Sequence, residues 1–357
     1  MVKKQNILVL GGAFIAFVTG SGFASGQEIL QFFTAFGLFG SLGAGAVALI
    51  TILWVTTTVT TDGRRLNPES TGSIYCFYCG NILGTLFEWV IPLLMFLFLT
   101  VMLSGAGATF HEYYGISEGV GRGIVAILTL GTVLLGLSRM VKIIGPIGIG
   151  IVLIAVVISL IHLFNNLEGL VGVDEVIKQI RIEPAFSKSW WVSGLLYGSF
   201  NVVTALPFLG GLGRQASSNR EALWAGAFGS VSYIAAGILM NLALLSSISQ
   251  VYNKQIPFLP VANSIFNTVG IVFSIMLLIG IYTTAAPMLW SICNLISGEE
   301  QRQNNGITAL LLIILAYIGG CLPFGVLVGA IYPITGLVGF LLFICMFYSK
   351  YLKRQSS

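Results

Sequence analysis

Ten stretches dominated by apolar residues run through this chain, at roughly 6–36, 39–61, 82–110, 119–137, 143–164, 190–212, 222–248, 264–297, 306–322 and 326–348, separated by polar punctuation. About 20 predominantly apolar residues in a helix cross the hydrocarbon of a bilayer, so the pattern predicts an all-α polytopic membrane protein with ten transmembrane helices. The first stretch is not uniform. From Ala16 to Glu28 it reads A-F-V-T-G-S-G-F-A-S-G-Q-E, and its glycines and serines are expected to open the helical ladder at Gly20-Ser21-Gly22. Backbone freed at bilayer depth is tolerated only where it lines a cavity or is buried in protein, and N–H groups starting a second half-helix suit an anionic group. The same small residues also allow another helix to pack close.

The longest outer connection, Asn165 to Ser189, carries Asp174, Glu175, Lys178 and Arg181 on a weak helical pattern and is expected to form a short helix across the surface. It divides the chain into a first five-span repeat at 1–165, a connection at 166–189, a second repeat at 190–349 and a tail at 350–357. Five crossings per half force opposite orientations, as an inverted repeat requires. Span six reads S-F-N-V-V-T-A-L-P-F-L-G-G-L-G, and Asn201, Thr204, Pro207 and the glycines after it predict a second break. A broken helix opening each half points to a transporter site at the repeat interface; Pro207 alone would be a simple kink. The stretch Q-V-Y-N-K-Q-I-P-F-L-P-V-A-N between spans seven and eight reads as a re-entrant or surface-lying cap and a candidate outer gate.

Composition agrees with this pattern, because 56% of the 357 residues are hydrophobic and 8% charged, against about 25% charged in an ordinary soluble domain. With both termini inside, the inner segments hold 12 of the 17 basic residues, and only Arg122, Lys178, Arg181, Lys188 and Lys254 fall outside. The net charge of +4 is therefore a topology signal and implies no nucleic-acid partner. The apolar run after M-V-K-K-Q-N continues to about Phe39 without a convincing cleavage site, so it is kept as the first span and not read as a signal peptide. Among five cysteines only Cys76 and Cys79 form a C-x-x-C pair, on the cytoplasmic side and without further ligands for zinc.

Within span eight, G-I-Y-T-T-A-A-P places Thr283 and Thr284 side by side in an apolar helix. Their hydroxyls beside freed carbonyls would make an oxygen cage for a small hard cation such as Na⁺, or each would bond back to its own helix. Glu28 lies six residues past Gly22, about 9 Å outward along an unbroken helix, as a proton-coupling candidate or an outer-vestibule residue. Glu88, six residues into span three, is expected to act as an inner gate or anchoring charge paired with Arg139 or Lys142. His111 and His162 fall at outer span ends, where interfacial placement is expected. Ser104, beside the small residues Gly105 and Gly107, is added to the pocket. With no charged group clearly at the pocket centre, a neutral zwitterion is the easier solute, and Phe200, Val202 and Val203 suit an apolar side chain.

The two breaks, the threonine pair and the ten-span layout together resemble the amino acid–polyamine–organocation superfamily with the LeuT fold, a 5+5 inverted repeat in which helices 1 and 6 are discontinuous. More narrowly, V-T-G-S-G-F-A-S-G-Q-E-I-L-Q-F-F is similar to the YkvI-like group of poorly characterised bacterial transporters. The likeness covers essentially the whole chain. It implies that amides around Gly20, Ser21 and Gly22 receive a substrate carboxylate, that carbonyls around Phe200 and Asn201 receive an amino group, and that Phe200 is a lid. It maps a sodium site onto the carbonyls of Ala16, Thr19 and Gly280 and the hydroxyls of Thr283 and Thr284. Phe23 stands where some relatives have a second-site asparagine, so one sodium at most is expected. Span five lacks the lysine that replaces sodium in other relatives, which favours sodium over that proton design.

The expected function is thus import of a small amino-acid-like solute, a neutral amino acid for preference, by Na⁺-coupled alternating access in a bacterial plasma membrane. No other cofactor and no obligate protein partner are implied. Proton coupling through Glu28, and a membrane solute sensor with a transporter fold, are the alternatives. An enzyme is excluded by the want of any catalytic triad, metal cluster or paired carboxylates.

Overall fold

The computed structural model describes residues 4–66, 73–180, 182, 184, 187–254, 256–297 and 302–352. Lys3, Arg181, Lys353 and Arg354 of the basic residues used for orientation, and residues 353–357 of the tail, lie outside them. The described chain forms fifteen α-helices and no strand. The first span is three pieces, α1 (Lys4–Val18), α2 (Ser21–Ser25) and α3 (Gln27–Phe32). Then come α4 (Gly37–Leu66), α5 (Ser73–Tyr114), α6 (Glu118–Leu134), α7 (Leu137–Asn165), the short α8 (Val173–Ile180), α9 (Trp190–Gln215) and α10 (Asn219–Ser246). Short α11 (Ile248–Val251) and α12 (Phe258–Asn263) precede α13 (Asn267–Ser297), α14 (Arg302–Gly319) and α15 (Phe324–Phe347).

The protein is a multi-pass membrane protein. Seven helical stretches among the described residues are long and apolar enough to cross a bilayer. The other three expected spans correspond to α1, α6 and α14, of 15, 17 and 18 residues. Packing partners recur when every span is advanced by five. Helix α1 packs on α10 and α7, and α9 packs in the same way on α4 and α15; α5 packs on α6 and α15, and α13 on α14 and α7. Backbone approach recurs too: a Cβ on Gly148 of α7 would strike the Gly12 carbonyl of α1, and one on Gly339 of α15 the Ser199 carbonyl of α9. Small residues that let backbones touch replace the hydrophobic driving force that lipid does not supply.

Local chemistry explains the deviations from plain spans. Gly26 and Gly37 take φ of 82° and 75°, left-handed values that reset the chain direction after α2 and before α4. Helix α8 forms on the long connection as expected, buries Val173 and Ile177, and presents Asp174 Oδ1 to the Leu38 N–H at 2.7 Å. A carboxylate at that helix start satisfies an orphan donor and complements the dipole. Helix α5 starts nine residues before the expected 82, because Ser73–Cys79 forms a separate turn of helix that ends at Gly80 (φ 73°) and folds back on Gly84.

Span six departs from expectation. Helix α9 runs without interruption from Trp190 to Gln215, through Thr204 and Pro207. Pro207 removes one N–H only, leaving the Val203 carbonyl without its helical donor. The buried Tyr75 hydroxyl donates to that oxygen at 3.4 Å, so a neighbouring side chain repairs the ladder and the helix does not open. His162 also differs, being buried, with Nδ1 and Nε2 each 2.8 Å from a serine hydroxyl, Ser264 and Ser247.

Candidate functional site

The break in the first span is the origin of the site. Helix α1 ends at Val18 because the Gly20 N–H turns to the Val18 carbonyl at 2.9 Å instead of the Ala16 carbonyl, four residues back. The Ala16 oxygen, so released, accepts the Thr284 hydroxyl of α13 at 3.0 Å. Thr19 lies against Gly280, whose Cβ, if present, would stand 3.1 Å from the Thr19 carbonyl. Thr283, one residue from Thr284, donates back to the Gly280 carbonyl at 3.2 Å. The fold therefore brings Ala16 against Thr284 and sets Thr19 beside Gly280, neutral oxygens from both sides of the break. Such a set fits a hard monovalent cation, and Thr283 bonds within its own helix while Thr284 bonds across to α1. Phe23, by contrast, stacks on Tyr233 with ring centroids 4.6 Å apart and offers no ligand.

Beside this cluster lies a cavity of about 20 Å³, room for about one water. It is lined from five spans: Phe17, Val18, Gly20 and Glu28 of the first, Phe98 and Met102 of α5, Phe200, Asn201 and Thr204 of α9, Thr284 and Met288 of α13, and Tyr332 of α15. Of the expected substrate residues, Gly20, Phe200, Asn201 and Thr204 line it. Val202 and Val203 do not. Ser21 faces a neighbouring cavity with Gly105, and its N–H and hydroxyl approach Met102 Sδ at 3.4 and 3.7 Å. Ser104 is not a pocket residue, because its hydroxyl is spent on the Leu322 carbonyl at 2.8 Å, holding α5 to the start of α15. Glu88 is also remote from the cavity. Its carboxylate meets Cys76 Sγ at 3.5 Å, since the Gly80 turn brings Cys76 back onto α5, and not Arg139 or Lys142.

Glu28 overturns the straight-helix estimate. The left-handed turn at Gly26 folds α3 back over α2, so that a Cβ on Gly22 would run into Glu28 Oε1. The carboxyl group sits at the centre of the site, 4% exposed, facing the hydroxyls of Tyr332 and Tyr197 and the N–H of Phe23. Its Oε2 and the Tyr332 hydroxyl have no hydrogen-bond partner within hydrogen-bonding geometry. The view of a pocket without a central charged group is corrected accordingly.

Aromatic rings close the cavity at both ends. Phe17 stacks on Phe208 at 5.1 Å toward one end. Toward the other, Phe200 meets Phe32, Tyr197 and Tyr332 at 5.4, 5.2 and 5.2 Å. Asn201 is held by its own Nδ2–H to the Tyr197 carbonyl at 2.9 Å and accepts from the Tyr233 hydroxyl at 3.3 Å. Sequence reading missed Met102, Met288, Phe98 and Tyr332. Only Tyr332 left a signal, a hydroxyl within an apolar span that demands a partner.

No family model matches the chain. It is 24% identical over 359 residues to the uncharacterized membrane protein YkvI of Bacillus subtilis (strain 168), covering 99% of both chains. Its fold is similar to that of a Na⁺-coupled sialic acid symporter (TM-score 0.70, 14% identity, 98% of this chain and 79% of that one). It is also similar to MhsT, solved in complex with L-phenylalanine (TM-score 0.66, 16% identity, 98% and 89%). These neighbours have the LeuT fold, which this chain shares, and neither they nor YkvI are named as enzymes.

Proposed function

We propose that this homologue of YkvI with the LeuT fold is a secondary active transporter that carries a small solute through the cavity at the α1 break. The single observation that carries the reading is Thr284: the same residue lines the cavity and donates to the Ala16 carbonyl released by the break. An ion held by the oxygen cluster and a solute held by the cavity therefore share one helix break and one side chain. Sodium suits the donor set, which is neutral and all oxygen, and when bound supplies the charge that ties α1 to α13. Occupancy of one site then biases the other only by the difference in affinity between conformations.

Helix α4 packs closely on both α9 and α10, and α10 packs on α1. We read this group as the body that moves against α5, α13 and α15, parting the Phe17–Phe208 contact on one side or the Phe200 cluster on the other. The excess of basic residues on the inner segments supports the reading that both termini face the cytoplasm of a bacterial cell.

Purified protein in sealed vesicles tests this. Labelled solute identified by thermal stabilisation accumulates when an inward Na⁺ gradient is imposed and not when the gradient is absent. Binding without accumulation under either a Na⁺ or a proton gradient would instead make the protein a sensor. Accumulation driven by a proton gradient alone would move coupling from the oxygen cluster to Glu28.

A further inference from the structure

Resting on the transporter reading of this cavity, we infer that the solute is a small organic cation, a protonated amine without a carboxylate, and that Glu28 receives it. In a broken first span the amides that open the second half-helix are the natural seat of a solute carboxylate. Here the protein's own groups occupy that seat. The Ser21 N–H donates to Met102 Sδ at 3.4 Å, the Phe23 N–H faces the Glu28 carboxyl, and Glu28 Oε1 lies against Gly22. A solute carboxylate entering the cavity would meet a second carboxyl group where it needs a donor.

The unmet demand is of the opposite kind. Glu28 is 4% exposed and lines the cavity; the Tyr332 and Tyr197 hydroxyls and the Phe23 N–H face its carboxyl group, yet Oε2 has no partner within hydrogen-bonding geometry. No basic residue is among those that line the cavity. A carboxylate removed from water is costly unless a cation or hydrogen-bond donors meet it. An ammonium group supplies both, with N–H donors for Oε2 and charge for the pair. The walls agree, since Phe17, Phe98, Phe200 and Tyr332 present rings to the same cavity, and the negative face of an aromatic ring attracts a cation. The small free volume favours a compact head group.

The test uses the full chain in detergent at constant Na⁺, with pairs of probes that differ in the carboxylate alone: ethylamine against alanine, and isobutylamine against valine. The amines are expected to raise the melting temperature with apparent affinities at least about tenfold better than their amino acids, a difference of about 1.4 kcal/mol. In Glu28→Gln that preference is lost while the melting shift produced by Na⁺ persists. Equal or better stabilisation by the amino acids, no stabilisation by either amine at tens of millimolar, or an unchanged preference in Glu28→Gln overturns the inference. Should the variant fail to fold, the wild-type pairs decide alone. Amines that bind but never accumulate in vesicles refute the transporter reading and leave the role of Glu28 intact; accumulation of alanine or valine without the amines does the reverse.

Discussion

At the scale of single residues, the two threonines of span eight illustrate how neighbours of one type receive different work. Thr284 donates across to the Ala16 carbonyl and Thr283 back to Gly280, so the two substitutions are expected to differ. Thr284→Ala should abolish Na⁺-dependent thermal stabilisation. Thr283→Ala should weaken it by less, because its hydroxyl must first leave an intrahelical bond. An unchanged sodium response in Thr284→Ala would place the ion elsewhere. Both residues, together with Gly20, Asn201 and Glu28, could be marked from the sequence because polar or small groups in hydrocarbon need a reason. Ser104 drew the same attention and is explained by a single carbonyl of the loop before α15. A hydroxyl's partner depends on which backbone oxygen is short of a donor, and that is decided by a part of the chain 218 residues away.

At the scale of elements, one residue in the left-handed region governs the site. Gly26 turns α3 back on α2, and the Phe258 Cβ of α12 stands 3.0 Å from where a side chain at 26 would begin. Gly26→Ala should therefore cost about 1–2 kcal/mol from backbone conformation alone, with further loss from the contact, read by thermal or denaturant unfolding. It should also loosen Glu28 from Gly22 and weaken solute binding by more than the loss of stability accounts for. Helix α9 offers the complementary case. Tyr75→Phe should destabilise by about 1 kcal/mol, because it strands the Val203 carbonyl. In Pro207→Ala that carbonyl regains a helical donor, so the Tyr75→Phe cost should shrink, giving a measurable coupling in a double-mutant cycle. Additive effects would show that the hydroxyl does nothing for the ladder. The break in span one was legible because clustered glycines and serines weaken a helix, although glycines of α4 and α9 stay helical. The continuity of span six was not legible, because its repair comes from Tyr75 on another element.

At the scale of the molecule, the exchange of packing partners on advancing five spans is the strongest internal sign of a 5+5 architecture. It carries a topological expectation: an even number of crossings leaves both termini on one side. Reporter fusions at the first and last residues should both report the cytoplasm, and opposite reports would remove one crossing, most readily at the short α1, α6 or α14. The order of apolar stretches, nearly all their boundaries, the surface helix on the central connection and the first break were determined by sequence alone. Those properties depend on transfer of side chains from water to lipid and on backbone freedom, and both are local sums over neighbouring residues. Only the tertiary structure decided that Glu28 lies in the site and Glu88 outside it, and that the released Ala16 carbonyl faces Thr284. It alone decided, too, that Pro207 leaves α9 whole. Each of these turns on one hydrogen bond or one turn angle that brings distant segments within a few ångströms, and no pattern of polarity along the chain encodes a meeting of that kind.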